Sequence, residues 1–227
     1  MTLINKIFSF LLENYQNKKL VKFIPNNIHT VIDVGAHEGE LYKTLTKKNI
    51  KFRKFIMFEP FKESYNSLLK LNDDRLVIHN VGLSDLDETL KLNVNKIKLT
   101  NSFTTQNSDT LNFKIKNLLA KKNQFLDPQV ANLNRLDNVV KLDSVNSPTL
   151  LKIDTEGFEL KVLHGGSKLF ENEKIDYVLV EVHKPNTYPK YEPSKIYDYL
   201  ENHNFKIVKK FKFPLIGFSD VLFRLDR

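Results

Sequence analysis

The 227-residue chain contains no cysteine, which excludes disulfide frameworks, thiolate metal sites and cysteine nucleophiles. It also lacks any uninterrupted apolar run of about 20 residues, because Lys, Asn or Asp breaks every hydrophobic segment, and no membrane-spanning helix is expected. Met1 to Leu12 is apolar, but Asn5 and Lys6 interrupt it and no small-residue cleavage site precedes Glu13 and Asn14, so the expected location is cytoplasmic. Internal repeats, arginine clusters and aromatic ladders are missing too. The formal net charge of +8 therefore reads as lysines spread over a solvated surface, and a nucleic-acid partner is not expected. Peripheral contact with an anionic membrane stays open, and the oligomeric state is not legible.

What is present suits one α/β domain. Seventeen Phe and eight Tyr, within an apolar fraction of 41%, supply enough material for a core. Residues 1–28 are expected to form an amphipathic helix or flap: Ile7, Phe8, Leu11, Leu12, Tyr15, Leu20 and Phe23 fall near helical spacing, and Pro25 closes the run. In the main domain, 29–227, short apolar runs alternate with helix-like stretches. The runs are Thr30 to Val34, Lys54 to Phe58, Leu76 to Val81, Thr149 to Ile153 and Tyr177 to Val182. The helix-like stretches are Glu40 to Lys48, Phe61 to Leu71, Phe158 to Phe170 and Pro193 to Asn202. Apolar strands with intervening helices predict a mostly parallel, doubly wound sheet covered on both faces. Phe205 to Phe213 and Val221 to Leu225 predict a C-terminal antiparallel hairpin. The alternation fails over an excursion at about 95–135, where Leu111 to Phe125 is helix-prone; Glu88 to Val94 before it reads as a further strand. A stretch of that length is more often functional than accidental.

In an open parallel sheet, ligands bind outside the carboxyl ends of the strands. Here those ends carry Asp33 and a glycine turn, Glu59-Pro60, Asn80 to Asp85, Asp154-Thr155-Glu156-Gly157, and Glu181-Val182-His183. Gly35 and Gly39 allow a ligand close to the backbone and a tight passage into the next helix. The third glycine of the dinucleotide fingerprint is absent, and Glu38 and Glu40 stand where a pyrophosphate would seek positive potential, which disfavours a nicotinamide. The same glutamates also suit a helix N-terminus. Glu59 lies 20 residues beyond Gly39, where a carboxylate can accept both ribose hydroxyls; the alternative is a helix-capping acid before Pro60. Asp33 is either a cap or a group that reaches the cofactor or fixes the turn.

Taken in order, Val31-Ile-Asp-Val-Gly-Ala-His-Glu-Gly39, Phe58-Glu-Pro60, Asn80-Val-Gly-Leu-Ser-Asp85, Leu142-Asp143 and Leu151-Lys-Ile-Asp-Thr-Glu-Gly-Phe-Glu-Leu-Lys-Val-Leu-His-Gly-Gly166 resemble the motif set of FkbM-type methyltransferases. The resemblance runs from about Thr30 to His183 and is most specific in the Lys152 to Glu159 segment. It implies a Rossmann-like class I methyltransferase fold, S-adenosylmethionine as donor, and O-methylation of a hydroxyl on a sugar, glycan or secondary metabolite such as a polyketide. By position, Asp33, Gly35, His37 and Gly39 would hold the methionine part, Glu59 the ribose, and Ser84 and Asp85 the adenine. Asp154 and Glu156 would face the transferring methyl. His37 stands where many relatives have asparagine, and both donate a hydrogen bond.

Methyl transfer is an in-line displacement in which alignment dominates, and a hydroxyl acceptor must lose its proton. Asp154, Glu156 and His183 are the candidate bases. The first two alternatively cap the helix starting near Gly157, and His183 is alternatively a structural hydrogen-bond donor. Asp154, Glu181 and His183 also offer donors for Mg²⁺ or Mn²⁺, but their spacing carries no metal signature and no metal ligand is expected. The Asn/Asp-Pro-Pro-aromatic motif of base amino-methyltransferases is absent, so the expected acceptor is a small molecule or glycan. The rival classes are a non-catalytic Rossmann-like nucleotide-binding module and a nicotinamide-dependent oxidoreductase.

Overall fold

In a computed structural model, which describes residues 19–95, 101–105, 107–108, 126–142, 148–212 and 217–227, the apolar runs become strands buried on both faces. The chain begins β1 (Asn27–Val34), α1 (Glu40–Lys47), β2 (Lys51–Phe58), α2 (Lys62–Leu68), β3 (Leu76–His79), β4 (Gly82–Ser84) and β5 (Glu88–Leu92). It continues β6 (Gln129–Arg135), α3 (Leu136–Val139), β7 (Thr149–Ile153), α4 (Glu159–Gly165) and α5 (Ser167–Glu171). It ends with β8 (Tyr177–His183), α6 (Pro193–Asn202), β9 (Phe205–Lys212) and β10 (Phe218–Leu225).

Side chains alternate across a strand, so apolar residues at both parities demand cover on both sides. Val31, Phe55, Met57, Leu150, Leu179 and Leu222 face one way, against Leu41 and Leu45 of α1 and Leu68 of α2. Ile32, Ile56, Phe58, Leu151, Val178, Val180 and Phe223 face the other, against Val162, Leu163, Phe170, Ile196 and Leu200 of the helices α4 to α6. The seven-stranded sheet runs β3-β2-β1-β7-β8-β10-β9. Neighbours from β3 to β8 pair in parallel, and β10 enters antiparallel between β8 and β9, which makes the expected hairpin. Strand order reverses between β1 and β7, and the crevice past their carboxyl ends is where such sheets take ligands.

Three boundaries differ from the pattern reading. The expected strand Leu76 to Val81 stops at His79; the chain then leaves the main sheet, and β4 joins β6 and β5 in a second, three-stranded sheet. β6 was hidden inside the excursion because only Ala131 and Leu133 of its seven residues are buried, too short an apolar pattern to stand out. The expected helix Phe158 to Phe170 breaks at Gly166 into α4 and α5, and Asp137 accepts the backbone N–H groups of Lys168 and Leu169 at 3.2 Å to start the second helix. Of the leading flap, Leu20 and Ile24 are buried on the α1 face and Phe23 meets Phe211 edge-on; its first 18 residues, the helix-prone Leu111 to Phe125 and the hairpin turn at 213–216 lie outside the described residues. No helix among the described residues is long and apolar enough to cross a membrane.

The second sheet is held on α4 at Gly165, where a Cβ would lie 2.1 Å from the Ser84 carbonyl oxygen. Gly165→Ala is therefore expected to destabilise the fold by about 1–3 kcal/mol through overpacking, read as a lower urea midpoint in chemical denaturation; an unchanged midpoint would show that β4 is free to shift.

Candidate active site

A solvent-open cleft enclosing about 970 Å³, its mouth included, lies past the carboxyl ends of β1, β2 and β7. The glycine turn forms its floor. Gly35 and Ala36 donate their N–H groups to the Phe58 carbonyl at 3.0 and 3.1 Å, which folds the turn over the end of β2. Gly35 has φ +78°, and a Cβ there would fall 1.9 Å from the Asp154 carbonyl oxygen, so only glycine lets β1 and β7 close at this point.

Glu59 stands at one end of the cleft, its carboxylate accepting the His37 N–H through Oε2 and the Phe61 N–H through Oε1, each at 2.8 Å. It thus ties the turn to the start of α2 and still lines the cleft, so the capping and ligand-facing roles coexist. Burial pushes its pKa up to about 7, against the lowering effect of those amides and of His37 and Lys152. His37 adopts φ 47°, and its Nδ1 lies 3.3 Å from Glu40 Oε1; its buried Nε2 has no hydrogen-bond partner.

At the centre is Lys152, an interior residue of β7. Its ammonium lies 3.1 Å from Asp33 Oδ1 and 3.4 Å from Asp154 Oδ2, and donates to the Gly35 carbonyl at 3.1 Å. Burial alone would lower the lysine pKa; Asp33 and Asp154 reverse the sign and hold it above the ordinary value. Burial raises Asp33, and Lys152 opposes it, leaving about 6.

The far end is acidic. Glu159 Oε1 accepts the N–H groups of Thr155 and Gly157 and the Thr155 hydroxyl, which shapes the loop from Asp154 to Gly157. Glu156 takes φ 52° in that loop, lines the cleft, and accepts a hydrogen bond from the Tyr188 hydroxyl. Ser102, from the excursion, donates to the Glu156 carbonyl at 2.6 Å. Asp220 of β10 joins the wall, its pKa pushed up to about 8 by burial and by Asp154 against Lys152 and His183.

A family model described as the methyltransferase FkbM domain matches residues 33–207. The chain belongs to the FkbM methyltransferase family. A search of curated proteins returns no match. Among solved structures, methyltransferase FkbM from Methylobacillus flagellatus superposes with a TM-score of 0.55 at 16% identity, over 87% of this chain and 44% of that one. The chain thus spans less than half the length of that relative. A putative S-adenosylmethionine-dependent methyltransferase from Listeria monocytogenes superposes with a TM-score of 0.54 at 10% identity, over 95% of this chain and 98% of that one. Sp1610 from Streptococcus pneumoniae, a putative tRNA (m1A22) methyltransferase in complex with S-adenosyl-L-methionine, gives 0.53 at 12% identity, over 94% and 73%. At such identities these likenesses establish the Rossmann-like fold.

In this FkbM-family chain, Gly35, His37, Glu59, Asp154 and Glu156 meet around one cleft. Asp33 reaches it through Lys152, and Gly39 caps α1 with φ 84° without lining the wall. Ser84 and Asp85, expected at the adenine, are not among the residues that line the cleft. Ser84 is fully buried with its hydroxyl 3.0 Å from Asp85 Oδ1, Asp85 lies 3.7 Å from Lys161, and the wall there is Gly82 and Leu83. The cause is the departure of β4 from the main sheet, which packs Ser84 on α4. His183 also stays off the cleft wall. Its Nε2 lies 3.0 Å from Glu181 Oε1, and although burial would lower its pKa, Glu181, Glu159 and Glu156 hold it up at about 9. The same contacts set its environment apart from that of Asp154 on the cleft wall.

Pattern reading missed Lys152, Asp220, Asn101 and Phe103, all on the cleft wall. A lysine inside an otherwise apolar strand, level with Asp33 on the neighbouring strand, was a usable signal for the first. The others depend on the antiparallel entry of β10 and the path of the excursion. Lys152→Met is expected to cost about 3–5 kcal/mol of folding stability, because it strands Asp33 without a counter-charge. The loss should shrink at pH 5 relative to pH 8, since a protonated Asp33 needs no partner; equal losses at both pH values in denaturant melts would remove Asp33 from the account.

Proposed function

We propose that this FkbM-family chain binds S-adenosylmethionine in the cleft and methylates a hydroxyl of a sugar, glycan or secondary metabolite. The observation that carries the reading is the charge of the wall. Among the described residues, Glu40, Glu59, Asp154, Glu156 and Asp220 line it against a single ammonium, that of Lys152, which suits a cationic ligand and repels a pyrophosphate. The same imbalance argues against the nicotinamide alternative. The residues also fit the parts of the ligand: Leu83, Leu92 and Phe103 offer an apolar face to adenine, and Glu59 has lone pairs left for ribose hydroxyls after meeting two amides.

When bound, the cofactor supplies a methyl group on a sulfonium, already activated for displacement. The work left to the protein is alignment and proton removal. The rigid turn at Gly35 and the Lys152 clamp on Asp33 and Asp154 hold the floor and the far wall in register. Asp154, half-open to the cleft and at the end of β7, takes the acceptor proton. Glu156 flanks the acceptor, oriented by Tyr188.

Glu59 makes the cofactor reading sensitive to pH. Its carboxyl accepts hydroxyl donors fully only when ionised, and its pKa stands near 7. Calorimetry should find S-adenosylmethionine affinity rising from pH 6 to pH 8, with Glu59→Gln roughly 10-fold or more weaker at pH 8 and rising less steeply, through Asp33 and Asp220 alone, across that range. A wild-type profile that matches the variant's would sink the ribose assignment, and protection of the fold by NAD but not by S-adenosylhomocysteine would favour the oxidoreductase. Asp154→Asn should keep cofactor binding and lower turnover by about 10²–10⁴ in a labelled-methyl assay on candidate acceptors; normal turnover would leave Asp154 out of the chemistry.

A further inference from the structure

We propose that Glu156, Glu181 and His183 form a binding site for a divalent first-row transition-metal ion at the far end of the cleft. One donor atom from each residue lies within 4.8 Å of the others. Bonds of roughly 2.0–2.2 Å hold neighbouring ligands about 3–3.6 Å apart, so closing the site asks for a contraction of up to about 1–2 Å. The donors come from two segments. Glu181 and His183 are two residues apart on β8, which puts them on one face of the strand, and the loop after β7 brings Glu156 to them. Asp154, offered by the sequence as the third donor, is turned instead to Lys152.

The second observation is hydrogen bonds left unmade. All three side chains are more than nine-tenths buried. Neither ring nitrogen of His183, nor Glu181 Oε1, makes a hydrogen bond, although Nε2 and Oε1 form an ion contact at 3.0 Å. Buried polar groups are rarely left so. Tyr188, Tyr191 and Phe218 pack edge-on around the imidazole and set its orientation. A third partner between the acid and the imidazole would satisfy His183 Nδ1 or Nε2 and Glu181 Oε1 together.

Charge points the same way. The carboxylates of Asp154, Glu156, Glu159 and Asp220 act on the Glu181 and His183 pair, while Lys152 is engaged by Asp33 and Asp154. The Tyr188 hydroxyl bonds Glu156 as outer donors bond ligating carboxylates. One imidazole with two carboxylates favours Mn²⁺, Fe²⁺ or Zn²⁺ over the all-oxygen preference of Mg²⁺ and Ca²⁺, and leaves coordination positions open. An entering ion would displace the imidazole proton. Because Glu156 also lines the cleft, an acceptor hydroxyl could fill one such position. That use rests on the methyltransferase reading, whereas the ion site does not.

The test is a titration of the full chain with Mn²⁺, followed by loss of the free-ion electron paramagnetic resonance signal. One saturable site per chain is expected, weakened about 100-fold or more in Glu181→Gln and in His183→Ala, and unchanged in the surface control Glu192→Gln. Circular dichroism establishes that each variant folds. If the variants do not fold, the wild type decides: Mn²⁺ should selectively broaden the His183 ring resonances and raise the melting temperature. No saturable site at millimolar Mn²⁺, full affinity in a folded Glu181→Gln, or unbroadened His183 resonances would each overturn the proposal. Calorimetry with S-adenosylmethionine on the metal-free chain runs separately, so failure of the ion site and failure of the cofactor reading are told apart.

Discussion

A lysine ammonium in the middle of a buried parallel sheet costs several kcal/mol in lost hydration, and it persists only where ionic partners and hydrogen bonds replace the water. Lys152 meets that condition by joining Asp33 at the end of β1, Asp154 just past β7, and the carbonyl of Gly35. The arrangement forces the two central strands to end level with each other and brings the glycine turn against the Asp154 carbonyl, where only a residue without Cβ fits. The floor of the cleft and the loop that carries Glu156 both descend from this contact.

Around that one cation the wall is acidic, and the excess shows in the titration of its members. Asp33, Glu59 and Asp220 all lie above the ordinary carboxylate range, because burial, joined at Asp33 and Asp220 by neighbouring acids, penalises their charged forms. Perturbed groups gathered in one cleft are the usual mark of a working site. A cationic ligand relieves the strain. The sulfonium and amino groups of the proposed cofactor offer charge at the floor, and a divalent ion would offer it at the Glu156, Glu181 and His183 end.

The second sheet matters because it carries the excursion to the site. Asn93 and Ser102 exchange backbone hydrogen bonds at 2.8 and 3.2 Å, and Ser102 then holds the Glu156 carbonyl through its hydroxyl. Phe103 packs over Gly82 and against Phe158. A segment far from β7 in sequence thereby fixes the loop that carries Glu156 on the cleft wall, and part of the apolar wall comes with it.

The alternation of doubly apolar runs with amphipathic stretches was enough to determine the parallel sheet, its helical cover and the C-terminal hairpin, because burial at both strand parities has one economical solution. The ordered motifs from Asp33 to Glu159 marked the strand ends, since ligand-facing residues must follow each strand directly. Which strand-end residues face the cleft was decided only by tertiary structure. Ser84 and Asp85 sit next to Leu83 in sequence, yet β4 leaves the main sheet and turns them onto α4. His183 closes β8 much as Asp154 follows β7, yet Glu181 beside it lifts its pKa, which no spacing rule reveals. Asp220 enters because β10 runs antiparallel, and Lys152 matters because Asp33 lies on the adjacent strand. Each of these outcomes depends on a pairing between distant segments, and local patterns of residues carry no record of such pairings.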